Sequence, residues 1–126
     1  MTGYSVSIVS VSKEINAKER LQLKDTTSAI KLDKATQDGD VIIDVDFYAE
    51  LLIHNEQART EEKDYTQYII VDKSGEKYVT GSQSFWDSFN DILTEMADYD
   101  EPWAIKAYRL PSKNREGKEF ITCSVL

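Results

Sequence analysis

Within the ten residues 109–118, Arg109, Lys113, Arg115 and Lys118 stand against a single acid, Glu116. Lys106 and Tyr108 precede this stretch, and Phe120 follows it. Guanidinium and ammonium groups hold phosphate oxygens, while ring faces stack on unpaired bases. Together they supply what a protein needs to hold an unpaired nucleic-acid strand without reading its sequence. Pro111 and Gly117 give the stretch the chemistry of a turn.

The surrounding charge sharpens the point. The 126-residue chain has a formal net charge of −8, with residues 38–64 at −7 and residues 84–103 at −6. Only 10–34, at +2, and 104–126, at +3, sum to a positive value. An acidic total counts against tight, sequence-blind binding to duplex DNA, yet leaves room for a local basic groove. Lys18, Arg20 and Lys24 are the cations that the first positive stretch would bring to such a groove.

Other chemistries find less support. There is no glycine-rich phosphate loop or nucleophile motif, and the one histidine, His54, sits at a strand end beside Asn55 and Glu56. Catalysis is not expected. Asp44 and Asp46 share one side of a strand, as acids on solvent-facing strands commonly do. Cys123 and His54 are too few to hold zinc, so neither metal nor cofactor is expected. A single cysteine forms no intramolecular disulfide, and no basic leader or run of about 20 apolar residues is present. The expectation is a single domain over 1–126 in the cytoplasm, away from membranes.

The elements that must position these side chains follow from periodicity. "YSVSIVSVS", 4–12, alternates as a strand but changes phase between Ile8 and Val9, which predicts a bulge. Residues 13–40 have weak alternation and turn chemistry. In "VIIDVDFYAELLIHN", 41–55, Val45, Phe47, Ala49, Leu51 and Ile53 form an inward face, with Asp44, Asp46, Tyr48 and Glu50 outward. "YTQYIIVD", 65–72, is a strand that turns through "KSGE" into "KYVT". Phe85, Phe89, Ile92 and Met96 then fall on one helical face, with Ser82 or Ser84 as cap and Pro102 beyond the end. Two alternating strands, 103–110 and 118–125, close the chain, with Lys106, Tyr108, Lys118 and Phe120 facing away from Ile105, Ala107, Ile121 and Cys123.

This order, with one helix between the third and fourth strands, predicts a mainly β, OB-fold-like five-stranded Greek-key barrel. OB-folds bind oligonucleotides or oligosaccharides between the loop joining strands 1 and 2 and the loop joining strands 4 and 5. The two positive stretches would occupy those two loops and flank one groove. The expected binding residues are Lys106, Arg109, Lys113, Arg115 and Lys118 with Lys18, Arg20 and Lys24 for phosphates, and Tyr108, Phe120, Tyr48 and Tyr68 for bases. Strand aromatics more often pack than bind, an objection that weighs most on Tyr68 and Tyr78.

The run "DYTQYIIVDKSGEKYVTGSQSFWDSFNDIL", the ending "SKNREGKEFITCSVL" and the stretch "LKDTTSAIKLD" resemble single-stranded-DNA-binding proteins of small podophages of Gram-positive bacteria, the phi29 type. The resemblance covers most of residues 18–126 and leaves 1–17 without a counterpart. It implies an OB-like coat for displaced strands during phage DNA replication in the host cytoplasm. It assigns a binding role to Lys113, Arg115, Lys118 and Phe120. Single-stranded DNA is the implied partner, and replication proteins and self-association are compatible with it. A different class of function is an acidic phage inhibitor or adaptor that docks a host protein through Asp87, Asp91, Glu95 and Asp98 on the helix.

Overall fold

The computed structural model describes residues 4–55, 64–111 and 119–126. Lys113, Arg115 and Lys118 lie outside these described residues. The chain is mainly β, with eight strands and three α-helices among the described residues.

Strand β1 (Tyr4–Val11) pairs antiparallel with β4 (Val45–Asn55), which pairs with β5 (Asp64–Asp72), which turns into β6 (Lys77–Thr80). A two-residue strand, β2 (Ile30–Lys31), runs parallel to β6 and completes a five-stranded sheet ordered β1-β4-β5-β6-β2. A second, antiparallel sheet is ordered β3-β7-β8, from β3 (Val41–Ile43), β7 (Ile105–Pro111) and β8 (Glu119–Val125). The two sheets do not form a closed barrel, and eight strands in two sheets stand where one five-stranded Greek-key barrel was expected.

The run 41–55, read from its alternation as one strand, breaks at Asp44. Residues on one side pair with β7 and those on the other with β1 and β5, so one bent segment serves both sheets. The backbone carbonyl of Asp44 accepts from the Lys73 amide at 3.0 Å, and its carboxylate lies 3.6 Å from Lys73 Nζ. The expected bulge in β1 is present: Ile8 pairs with Leu51 and Ser10 with Glu50, leaving Val9 as the extra residue.

The middle of the five-stranded sheet is covered on both faces. Phe47, Ala49, Leu51, Ile69, Val71 and Val79 point to one side, where α1 (Ala17–Lys24) places Leu23 among most of them. Tyr68 and Ile70 point to the other, against α3 (Gln83–Glu95) and the inner face of the small sheet. That second core holds Phe85, Trp86 and Phe89 from the helix with Ile43, Ile105, Ala107, Ile121 and Cys123. Two-sided burial explains why β5 reads "YIIV" without polar interruption.

Helix α3 begins where Ser82 Oγ accepts the Phe85 amide at 3.2 Å, and its Phe85–Phe89 stripe is fully buried as its spacing predicts. The helix also covers the outer edge of β8. Ser84 Oγ donates to the Ile121 carbonyl at 2.9 Å, and the Ser88 and Thr122 hydroxyls meet at 2.8 Å. Covering an edge in this way removes a site for unwanted strand pairing.

The region 13–40 is more ordered than its sequence signals. Helix α1 starts in a capping box, with Asn16 Oδ1 accepting the Glu19 amide at 2.8 Å and Glu19 Oε1 accepting the Asn16 amide at 3.2 Å. At its C-terminal end Lys77 Nζ donates to the Gln22 and Asp25 carbonyls at 2.6 and 2.7 Å. A single helical turn, α2 (Leu32–Ala35), buries Leu32 and Thr36 beside β6, where Thr80 Oγ1 donates to Asp33 Oδ1 at 2.8 Å.

Candidate nucleic-acid interface

The small sheet has one face in the core and one turned away from it. Strand alternation places Ile42, Lys106, Tyr108, Leu110, Phe120 and Ser124 on the outer face. Cross-strand pairing stacks them in rows: Ile42 beside Lys106 beside Ser124, then Tyr108 beside Thr122, then Leu110 beside Phe120. Diagonal neighbours across such a face lie about 7–8 Å apart, close enough for long side chains to form one surface. Ile42 is 53% exposed and Leu110 40%, while Tyr108 and Phe120 are half-buried, so apolar and aromatic surface remains open to solvent.

Tyr108 is held rather than loose. Its hydroxyl lies 2.7 Å from Ser124 Oγ, and Lys106 Nζ sits 5.1 Å from the ring centroid in a cation–π contact. The same ammonium lies 3.9 Å from Asp40, an exposed pair of little energetic weight that a phosphate could displace. This face therefore carries a cation over an aromatic ring with Phe120 along the same ladder, the combination that binds unpaired bases and their phosphates.

The remaining expected residues are distributed differently. Tyr68 is 6% exposed, stacks on Trp86 with centroids 4.4 Å apart and planes 14° apart, and donates from its hydroxyl to Gln83 Oε1 at 2.8 Å. Burial, helped by Glu50 and Asp87, raises its phenol pKa. Tyr48 meets Phe89 and Trp86 edge-on at 5.1 and 6.1 Å. Both rings pack against α3, Tyr68 from β5 and Tyr48 from β4; Tyr68 is enclosed there and offers no face to a base, whereas Tyr48 is half-buried against the helix rings.

Arg109 is also occupied. Its Nε donates to Thr36 Oγ1 at 3.1 Å and its Nη2 to the Asp33 carbonyl, so the guanidinium ties β7 to α2. Lys18, Arg20 and Lys24 are exposed on α1, which packs on the face of the large sheet opposite to the small sheet. They do not border the Tyr108–Phe120 surface, and the expected groove between the two basic stretches is not assembled from them. The part of 13–40 that does reach β7 is α2, with exposed Lys31 just before it and exposed Lys34 within it, next to the Arg109 contacts.

Leu110 and Ile42 were absent from the expected set, although Leu110 shares the parity of Lys106 and Tyr108 in "KAYRL". Ile42 becomes visible only once β3 is separated from β4. Elsewhere, a cleft of about 610 Å³ between α1 and the β5–β6 turn is lined by Lys13, Asp25, Asp46, Asp72, Lys73 and Lys77. Its lysines are engaged: Lys77 by the α1 carbonyls, Lys13 by Asp46 at 3.4 Å and Lys73 by Asp44. His54 Nδ1 lies 2.6 Å from Asp64 at the far end of the β4–β5 pair. Burial pushes the Cys123 thiol up to about 12, as suits an inert core cysteine. No His, Cys, Asp and Glu group among the described residues is arranged to hold a metal, and no helix among them is long and apolar enough to cross a membrane.

No protein-family model, no curated protein and no solved structure matches this chain.

Proposed function

We propose that the chain binds single-stranded DNA across the outer face of β3-β7-β8, without strong sequence preference, as a coat for displaced strands during phage DNA replication. The observation that carries this reading is the outward placement of Tyr108 and Phe120 on one ladder with Lys106 above the tyrosine ring. Bases stack on the two rings, and Lys106 contacts phosphates together with Lys113, Arg115 and Lys118, the cations between β7 and β8 in sequence. Lys31 at the N-cap of α2 and Lys34 within it extend the cationic border. In this reading the two sheets are the halves of an open, OB-like barrel, with the bent run 41–55 as the strand common to both. The site lies on the small sheet and avoids Asp46 and Glu50, which would repel phosphates on β4.

Anisotropy of labelled oligo(dT) tests the reading. Tight binding at low salt that weakens linearly on a log–log plot supports it, because each phosphate contact on a single strand contributes a slope of about −0.7. No binding at low salt overturns it. The adaptor alternative draws on a different observation, the exposure of Asp87, Asp91, Glu95 and Asp98 along and beyond α3. Charge reversal of Lys113, Arg115 and Lys118 together abolishes DNA binding and leaves docking of a basic protein partner intact, which separates the two.

A further inference from the structure

Strand β1 is an edge of the five-stranded sheet, with β4 on one side and no strand on the other among the described residues. An unpaired edge presents a row of N–H and C=O groups ready to accept another strand, and proteins usually blunt it with charge, proline, shortness or a cover. The other edges here are blunted. Strand β2 has two residues, β3 has three, and β8 is covered by the α3 hydroxyls. By contrast β1 is eight residues long, and Tyr4 to Ser12 contain no charged residue and no proline, in a protein 30% charged. Its one blunting device is the Val9 bulge, which interrupts the ladder at a single position and leaves that valine 56% exposed.

Beside this edge lies further uncovered apolar surface. Leu21 on α1 is 68% exposed and lines a shallow depression next to β1 with Ile8, Ala17, Arg20 and Lys24, so this strip carries two cations as well as apolar surface. An extra strand laid along β1 would extend the sheet towards this strip.

We propose that β1 is a self-pairing edge, through which two copies of this chain form a two-fold dimer by antiparallel β1–β1 pairing. Antiparallel pairing of identical strands is the arrangement that a two-fold axis generates, so that wherever residue i of one copy meets residue j of the other, j also meets i. The result is one continuous ten-stranded sheet, with both α1 helices on one face and Leu21 of each copy beside the joint. Charge selects this occupant. Two chains of net charge −8 repel over most of their surfaces and approach at least cost where the strand is neutral, whereas a basic partner would be drawn to the acidic surfaces instead. The small sheets of both copies lie on the opposite face, so the dimer forms or fails independently of DNA binding.

Sedimentation velocity of the full chain over a concentration series is the test, with Ser7→Lys/Val9→Lys as the variant. Both positions are exposed, and the two lysines place like charges along the joint. The wild type should approach twice its 14.4 kDa as concentration rises, and the variant should stay monomeric with an unchanged circular dichroism spectrum. A wild type that remains monomeric throughout overturns the proposal, as does a variant that dimerises as well as the wild type. Hydrogen exchange supplies a readout that needs no variant. Amides of β1 should gain protection with concentration while those of β2 and β3 do not, and a dimer whose β1 amides exchange as in the monomer sinks the idea.

Discussion

Tyr108 and Tyr68 are the same residue type on alternating strands, yet their surroundings assign them different work. Tyr68 is stacked under Trp86 inside the core, and Tyr108 faces outward beneath the Lys106 ammonium. Tyr108→Ala and Phe120→Ala should each weaken oligo(dT) binding by about 1–3 kcal/mol while leaving the melting temperature close to wild type. Tyr68→Ala should do the reverse, lowering stability by an amount near the about 3–5 kcal/mol of a buried phenylalanine truncation. Equal binding losses from Tyr68 and Tyr108 variants of matched stability would contradict the site. Arg109 belongs with the structural residues. Arg109→Ala leaves the Asp33 carbonyl and the Thr36 hydroxyl without their guanidinium, at about 1–3 kcal/mol, read by urea denaturation. If Arg109→Ala weakened DNA binding at unchanged stability, its assignment to the α2 contact alone would be wrong.

At the scale of elements, long amphipathic segments were legible and short or composite ones were not. The inward row Phe47 to Ile53, the Phe85–Phe89 stripe and the phase change at Val9 follow directly from side-chain period, whereas Val45, expected in the same row, is set apart by the register shift before Phe47 and packs with the opposite core. The break at Asp44 leaves no trace: neither glycine nor proline marks it, and alternation continues across it. Helix α2 is one turn long, too short for a period. Helix α1 had a readable signature in Asn16 and Glu19, three residues apart, but only one of its side chains, Leu23, is buried, so no apolar stripe announces it. Asn16→Ala removes one half of that capping box and should cost about 0.5–2 kcal/mol by thermal or chemical denaturation. The assignment of the basic stretches to one groove failed for a related reason. Sequence gives the sum of charge over 10–34 but not the sheet face on which each part of it comes to rest.

For the whole molecule, the buried acids of the core set the alkaline limit of stability. The Cys123 thiol rises from 9.0 to about 12 on folding, and burial raises the Tyr68 and Tyr78 phenols as well. These groups stay protonated in the native state where the unfolded chain has begun to ionise them. The unfolded state therefore binds fewer protons, and stability should fall as pH rises from about 9 towards 12. Melting temperatures measured across that range check the sign; a flat or rising profile would contradict it. In the same native state Cys123 should resist thiol reagents until denaturant is added.

The segment 41–55 has one more consequence. Because a single run of backbone is woven into both sheets, neither the small sheet nor the large one can come apart without releasing the other. The indoles of Trp86, between the layers, and Trp103, ahead of β7, should thus report one shared unfolding midpoint, and hydrogen exchange in β7 and β5 should give opening free energies of similar size.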